Sequence, residues 1–233
     1  MPPKSKSKPQ PQSSGLNLQK IYLTLYNTIS LLLWTTCTIQ TLLHLLPPTP
    51  TPLPQIFTNV YPLLQITQSL ALLEILHSMI GLVRAPVMTT VMQVASRILL
   101  VWGIMFPFGG VVVGETGIGG DGVKTGDWGF LGCMAAWGVT EIIRYGFFAL
   151  QVSGVGVPGV WGWLRYNTFY VLYPLGISSE CIMVFKALGP AGDVSPLYKW
   201  FLVAVLGIYV PVGSYILYTH MIAQRRKALK KKL

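Results

Sequence analysis

Acidic residues are scarce in this chain. Asp and Glu together number seven among 233 residues, and charged residues of both signs make up only 10%. A soluble domain carries about 25%. With 52% hydrophobic residues, there is too little charge to cover a water-facing surface, and an ordinary soluble globule is excluded. Cysteine is also rare. Cys37, Cys133 and Cys181 all fall in apolar stretches. Their spacings fit neither a zinc site nor a disulfide framework, and none is followed by an arginine at the distance a phosphatase loop requires. They read as small buried hydrophobes.

The basic residues that produce the net charge of +10 gather at the ends. Lys4, Lys6, Lys8 and Lys20 lie near the start; Arg225, Arg226, Lys227, Lys230, Lys231 and Lys232 lie near the finish. Basic clusters flanking apolar segments point to tails lying against anionic lipid, not to nucleic acid. The first residues, MPPKSKSKPQPQSSG, are rich in Pro, Ser and Lys and are expected to be disordered. No apolar core follows them at the spacing of a cleaved signal peptide, so the first apolar stretch is expected to act as an uncleaved anchor.

Six apolar stretches of spanning length follow, over about 21–46, 59–83, 87–113, 128–150, 160–188 and 197–223. Each is roughly 20 residues or more, enough to cross about 30 Å of hydrocarbon. The fold expected is an all-α polytopic bundle of six transmembrane helices, with a basic tail over 1–19, a membrane domain over 20–223 and a second basic tail over 224–233. Pro-rich residues 47–55 and the Gly-rich run 114–127 are expected as loops. Charge asymmetry orients the chain. Arg84 lies between the second and third stretches, the loop after the first is uncharged, and the loop after the third holds Glu115, Asp121 and Asp127 against Lys124. The loop after the fifth, with Lys186, Asp193 and Lys199, is nearly balanced. The positive-inside rule then places both termini in the cytosol. A cytosolic Lys230-Lys231-Lys232-Leu233 end resembles a dilysine retrieval signal of the endoplasmic reticulum; a plain lipid-binding basic tail is the other reading.

Few ionisable residues remain in the interior of the bundle: Glu74, His77, Arg97, Glu141, Arg144, Arg165 and Glu180. Charge at membrane depth is costly and marks function or mutual pairing. Glu74 and His77, like Glu141 and Arg144, are three apart and share a helix face. They read as structural polar groups, Glu141 paired with Arg144 and Glu74 with His77 or Arg97. Glu180 has no cation at helical spacing. Desolvated and unpaired, it would be a stronger base near neutral pH; a solvated glutamate at the luminal rim is the alternative. Tyr173 precedes it by seven residues, about 10.5 Å along an ideal helix and on the same face. Pro174 and Gly176 between them predict a bend or break. Arg84, Arg97, Arg144 and Arg165 all fall in the cytosolic half, which suits an amphiphile with an anionic, phosphate-bearing head and an apolar tail.

The ordered blocks YLTLYN with Trp34, LEILHSMIGLVRAPVMTTVMQVASRILLVWG (72–103), WGVTEIIRYGFF (137–148) and WLRYNTFYVLYPLGISSE (163–180) closely resemble the very-long-chain (3R)-3-hydroxyacyl-CoA dehydratases, also called protein-tyrosine-phosphatase-like membrane proteins. The resemblance runs from Tyr22 to the sixth stretch. Ala85, where many members carry serine, and Phe148, where a hydroxylated aromatic is common, depart from it.

The resemblance implies a hydro-lyase of the endoplasmic reticulum membrane that converts a 3-hydroxyacyl-CoA to the trans-2-enoyl-CoA in fatty-acid elongation. It implies that Tyr173 and Glu180 are the catalytic pair, and that the elongase condensing enzyme, the 3-ketoacyl-CoA reductase and the enoyl-CoA reductase are partners. Elimination across C2–C3 needs a base and an acid and calls for no metal or redox cofactor. Either residue could take either role. Arg84, Arg97, Arg144 and Arg165 are the candidate contacts for the CoA phosphates. A catalytically inactive scaffold of the same fold and a small-solute transporter are the competing classes.

Overall fold

The computed structural model describes residues 18–46, 51–113 and 128–230. The expectations for the N-terminal tail before Leu18, for residues 47–50 of the Pro-rich linker, for the Gly-rich run 114–127 and for the last three residues lie outside the described residues. All regular structure among the described residues is helical.

Helix α1 (Leu18–Leu45) buries Leu23, Asn27, Ser30, Trp34, Cys37 and Thr41, a seam spaced alternately by four and three. Its opposite face turns Leu25, Leu32, Ile39 and Leu43 outward. Outward leucines are what a helix in lipid requires, because the hydrocarbon offers polar groups no partner. Several hydroxyls and amides of α1 are accordingly satisfied on its own backbone: Asn27 donates to the Leu23 carbonyl at 2.6 Å, Thr38 to Trp34 at 2.8 Å and Thr41 to Cys37 at 2.9 Å.

Helices α2 (Leu53–Leu70) and α3 (Leu72–Met79) form one bent unit interrupted at Ala71. The unit starts inside the segment expected as a Pro-rich loop, because Pro54 sits in the first turn, where its missing N–H has no helical partner to lose. Helix α4 (Val87–Ile98) passes through a π-helical stretch, Leu99–Met105, into α5 (Phe106–Val112). The distortion precedes Pro107, which has no N–H to give the carbonyl four residues back. That carbonyl, of Gly103, is taken instead by the Tyr198 hydroxyl at 2.6 Å.

Helix α6 (Trp128–Ser153) lies at the centre, buried through Phe130, Cys133, Met134, Trp137, Glu141 and Tyr145. It packs most extensively on α1 and on α8. Glycines allow that approach: a Cβ at Gly138 would collide with the Thr38 hydroxyl, and one at Gly132 with the Ser179 hydroxyl. Helices α7 (Gly159–Asn167) and α8 (Phe169–Val194) are separated at Thr168. The expected break at Pro174–Gly176 is therefore corrected. Helix α8 runs continuously through Pro174, and the interruption comes more than a turn earlier, on the N-terminal side where a proline ring crowds the backbone. Helix α9 (Pro196–Ala204) continues through a second π-helical stretch, Val205–Tyr209, into α10 (Val210–Lys230), again just before a proline, Pro211.

Among the described residues, three helical runs are long and apolar enough to cross a membrane: Leu18–Leu45, Val87–Val112 and Phe169–Val194. A fourth is made by Pro196–Ile208 and Val210–Lys230 if that pair, bent by 42°, is one span. The chain is an all-α, multi-pass membrane protein. The expected count of six is not reached by length and apolarity alone. The remaining stretches are α2–α3, broken at Ala71, and α6, which carries Glu141 and Arg144 inside the bundle. Replacing Gly138 by valine is expected to lower stability by about 1–3 kcal/mol through overpacking against α1. Thermal unfolding in detergent checks this, with Gly189→Ala, where a Cβ meets nothing within 4 Å, as the neutral control.

Candidate active site

Helix α8 turns Tyr173, Gly176, Ile177, Glu180, Cys181 and Val184 toward a cavity of about 670 Å³. These residues recur at intervals of three and four, so one helix face supplies a continuous wall. Residues of α1 to α4, α6, α7 and α10 complete the enclosure. Arg84, Arg97, Arg144, Arg165, Glu74, His77 and Glu141 all line the same space as Tyr173 and Glu180. Residues distant in sequence and singled out for their chemistry thus share one cavity.

One wall is a linked set of ion pairs. Arg144 grips Glu74 with two parallel bonds, Nη1 to Oε2 at 2.7 Å and Nη2 to Oε1 at 2.8 Å. Its Nε donates to Glu141 Oε2 at 2.7 Å. Glu141 also accepts from Arg97. The Tyr145 hydroxyl donates to Glu74, and the Tyr26 hydroxyl reaches the same carboxylate at 3.4 Å while donating to the Leu70 carbonyl at 3.2 Å. Two guanidinium and two carboxylate groups neutralise one another, and the phenols occupy remaining lone pairs, the arrangement that makes buried charge tolerable.

This corrects the expected pairing of Glu74. Its cation is Arg144, from α6, and not His77 or Arg97. His77 is buried and bonds instead to the Tyr22 hydroxyl at 2.8 Å, with Tyr22 and Tyr26 packed edge-on to its ring. Spacing along one helix cannot reveal a partner that arrives from another.

Glu180 is not the unpaired carboxylate that the sequence suggests. The Trp137 indole N–H donates to its Oε1 at 2.9 Å. Trp137 is itself clamped. Trp34 meets it edge-on at 6.4 Å between ring centroids, and the Arg97 guanidinium lies 5.2 Å from the centre of its ring. A chain of contacts therefore runs from Glu141 through Arg97 and Trp137 to Glu180. Residue order gives Trp137 no role, because tryptophan reads as packing. The available signal was its N–H, which also needs an acceptor at membrane depth.

The Tyr173 hydroxyl donates to the Ser214 carbonyl on α10 at 3.2 Å, and its ring stacks on Tyr218 with centroids 5.7 Å apart. Tyr173 and Glu180 thus stand two turns apart on one wall. Nearer the ends of the helices, Arg165 lies over the Phe148 ring at 5.4 Å. Phe148 keeps its aromatic face and uses it to hold a guanidinium. Arg84 is exposed at the α3–α4 turn beside the cavity mouth, and His220 and Gln224 of α10 line the same space. The four arginines are therefore of two kinds. The charges of Arg97 and Arg144 are matched by Glu141 and Glu74, whereas no carboxylate lies within ion-pair distance of Arg165 or Arg84 among the described residues.

A helical membrane bundle that encloses a phenol, a carboxylate and a set of guanidinium groups in one deep cavity is the architecture of an intramembrane enzyme. The family described as "Protein tyrosine phosphatase-like protein, PTPLA" matches residues 68–231. The chain is 41% identical over 210 residues to the "Probable very-long-chain (3R)-3-hydroxyacyl-CoA dehydratase" of Schizosaccharomyces pombe, covering 90% of this chain and 93% of that protein. It is 36% identical to "Very-long-chain (3R)-3-hydroxyacyl-CoA dehydratase hpo-8" of Caenorhabditis elegans, covering 89% and 94%. It is 34% identical to "Very-long-chain (3R)-3-hydroxyacyl-CoA dehydratase PASTICCINO 2" of Arabidopsis thaliana, covering 92% and 95%. No solved structure matches. The chain belongs to the PTPLA family, in which these dehydratases fall.

Removing one member of the ion-pair wall leaves the others uncompensated. Glu141→Leu is expected to destabilise the bundle by about 3–5 kcal/mol, seen as a lowered melting temperature and reduced accumulation in membranes.

Proposed function

We propose that this protein is a very-long-chain (3R)-3-hydroxyacyl-CoA dehydratase, a hydro-lyase that forms the trans-2-enoyl-CoA in the third step of each fatty-acid elongation cycle. The observation that carries the reading is the shared cavity wall: Tyr173 and Glu180, two turns apart on α8, face one cavity bordered by cationic side chains. Substrate would lie along α8 with its thioester and 3-hydroxyl between them. Glu180 removes the proton at C2 and Tyr173 supplies a proton to the 3-hydroxyl. The C3–O bond then breaks, the C2–C3 double bond forms and water departs. The opposite division of roles satisfies the same balance. Trp137 orients the Glu180 carboxylate through its 2.9 Å bond.

Arg165 and Arg84, whose charges no carboxylate matches among the described residues, are assigned to the CoA phosphates. Arg97 and Arg144 form the neutralised wall. The chain is further proposed to cross the endoplasmic reticulum membrane six times, as α1, α2–α3, α4–α5, α6, α7–α8 and α9–α10, with both basic tails in the cytosol and the membrane domain spanning 20–223. Acyl-CoA is its substrate. The condensing enzyme, the 3-ketoacyl-CoA reductase and the enoyl-CoA reductase are its proposed partners in elongation.

Purified protein is expected to convert a (3R)-3-hydroxyacyl-CoA to the trans-2-enoyl-CoA. Tyr173→Phe and Glu180→Ala are each expected to lower kcat by roughly two to four orders of magnitude, the range for a positioned acid or base, with accumulation in membranes unchanged. Full turnover in either variant would remove that residue from the reaction. Arg165→Gln is expected to raise KM several-fold with kcat nearly unchanged, since phosphate contacts bind ground and transition states alike.

A further inference from the structure

Three residues among those described bury a side-chain oxygen or nitrogen with no hydrogen-bond partner: Ser30, Gln40 and Gln68. Of these, Gln68 alone lines the cavity. It is 1% exposed, and both its Oε1 and its Nε2 are unpaired. A buried amide left unsatisfied at both ends is destabilising by itself. Leucine would fill the same place on α2 without that loss, so the polar group calls for a partner that the protein alone does not supply.

The level of Gln68 in the bundle follows from contacts on either side of it. Thr67 meets Cys37 of α1 at 3.8 Å, and the Leu70 carbonyl takes the Tyr26 hydroxyl. Gln68 therefore stands level with the part of α1 between Tyr26 and Cys37. That same part packs on α6, Tyr26 against Tyr145 and Trp34 against Trp137. Trp137 in turn donates to Glu180, and Ala136 faces Gly176 on α8. Gln68 thus lines, from α2, the same cavity that Glu180 lines from α8.

We propose that Gln68 is a substrate-specificity residue whose carboxamide binds the 3-hydroxyl of the acyl chain. A hydroxyl both donates and accepts, and a free carboxamide offers one group of each kind. The pairing discriminates. A 3-hydroxyacyl chain satisfies the amide, whereas a saturated acyl chain, or the enoyl product once water has left, strands it in an apolar pocket. Gln68 would thereby favour capture of substrate and release of product from a membrane rich in other acyl chains.

The inference rests on the dehydratase reading, and the experiment separates the two. Wild-type protein in detergent is first assayed with (3R)-3-hydroxypalmitoyl-CoA; absence of turnover there defeats the dehydratase reading before any variant is tested. Gln68→Leu is then expected to raise KM for that substrate by roughly five- to tenfold, the loss of a neutral hydrogen bond. The inhibition constant of palmitoyl-CoA is expected to stay level or fall, and the melting temperature to hold or rise. Gln68→Asn, which retains the amide but withdraws it by one methylene, is expected to show the same divergence in smaller degree. It serves if the leucine variant does not accumulate. An unchanged KM, or a parallel rise in KM and in the inhibition constant, overturns the proposal. So does a drop in melting temperature without a change in selectivity, the mark of a merely structural amide.

Discussion

Hydrocarbon gives a polar group nothing to bond to, and the linked ion pairs Arg97–Glu141–Arg144–Glu74 are this bundle's response to that constraint. The set joins α3, α4 and α6, and its net charge is zero. It accounts for the central position of α6, which carries two charges in its interior and must be screened from lipid by its neighbours. It also accounts for the glycines of that helix, because the ion pairs are sheltered only if α1 and α8 approach closely enough to shut out the acyl chains.

The same wall supports the chemistry proposed for the cavity. Arg97 is fixed by Glu141, lies against the Trp137 ring and helps hold that indole where it can donate to Glu180. A carboxylate held by a rigid donor is oriented in advance of any ligand, the preorganisation from which enzymes gain most. The prolines contribute in a different manner. Pro107 and Pro211 each follow a π-helical stretch beside the cavity, which Leu99, Leu100, Val205 and Val210 help to line, and α9–α10 is bent by 42° there. The freed Gly103 carbonyl finds the Tyr198 hydroxyl, so the distortion before Pro107 leaves no orphan there.

Much of this was legible in residue order. Apolar runs mark the helices, the shared face of Tyr173 and Glu180 follows from a spacing of seven, and the scarcity of charge marks every buried ion as significant. The misreadings share one origin. Residue order offers Glu74 the partners His77 or Arg97, whereas its partner lies seventy positions away on α6. Glu180 has no cation at helical spacing and so reads as unpaired, while its donor is a neutral indole on another helix. Pro174 was given the break that falls at Thr168, because a proline's steric effect is felt by the turn before it and the neighbouring helices decide where the bend occurs.

Composition and periodicity were sufficient to dictate a helical membrane protein, since hydrocarbon admits few other solutions and the spacing of polar residues along a helix is arithmetic. The choice of which guanidinium faces which carboxylate, and which arginines keep a charge to offer a ligand, arose from packing between helices. So did the position of an unsatisfied amide on the wall of the cavity that Glu180 also lines. Those contacts join residues far apart in the chain, and their strength depends on burial and on approach distances that exist only after the bundle has closed.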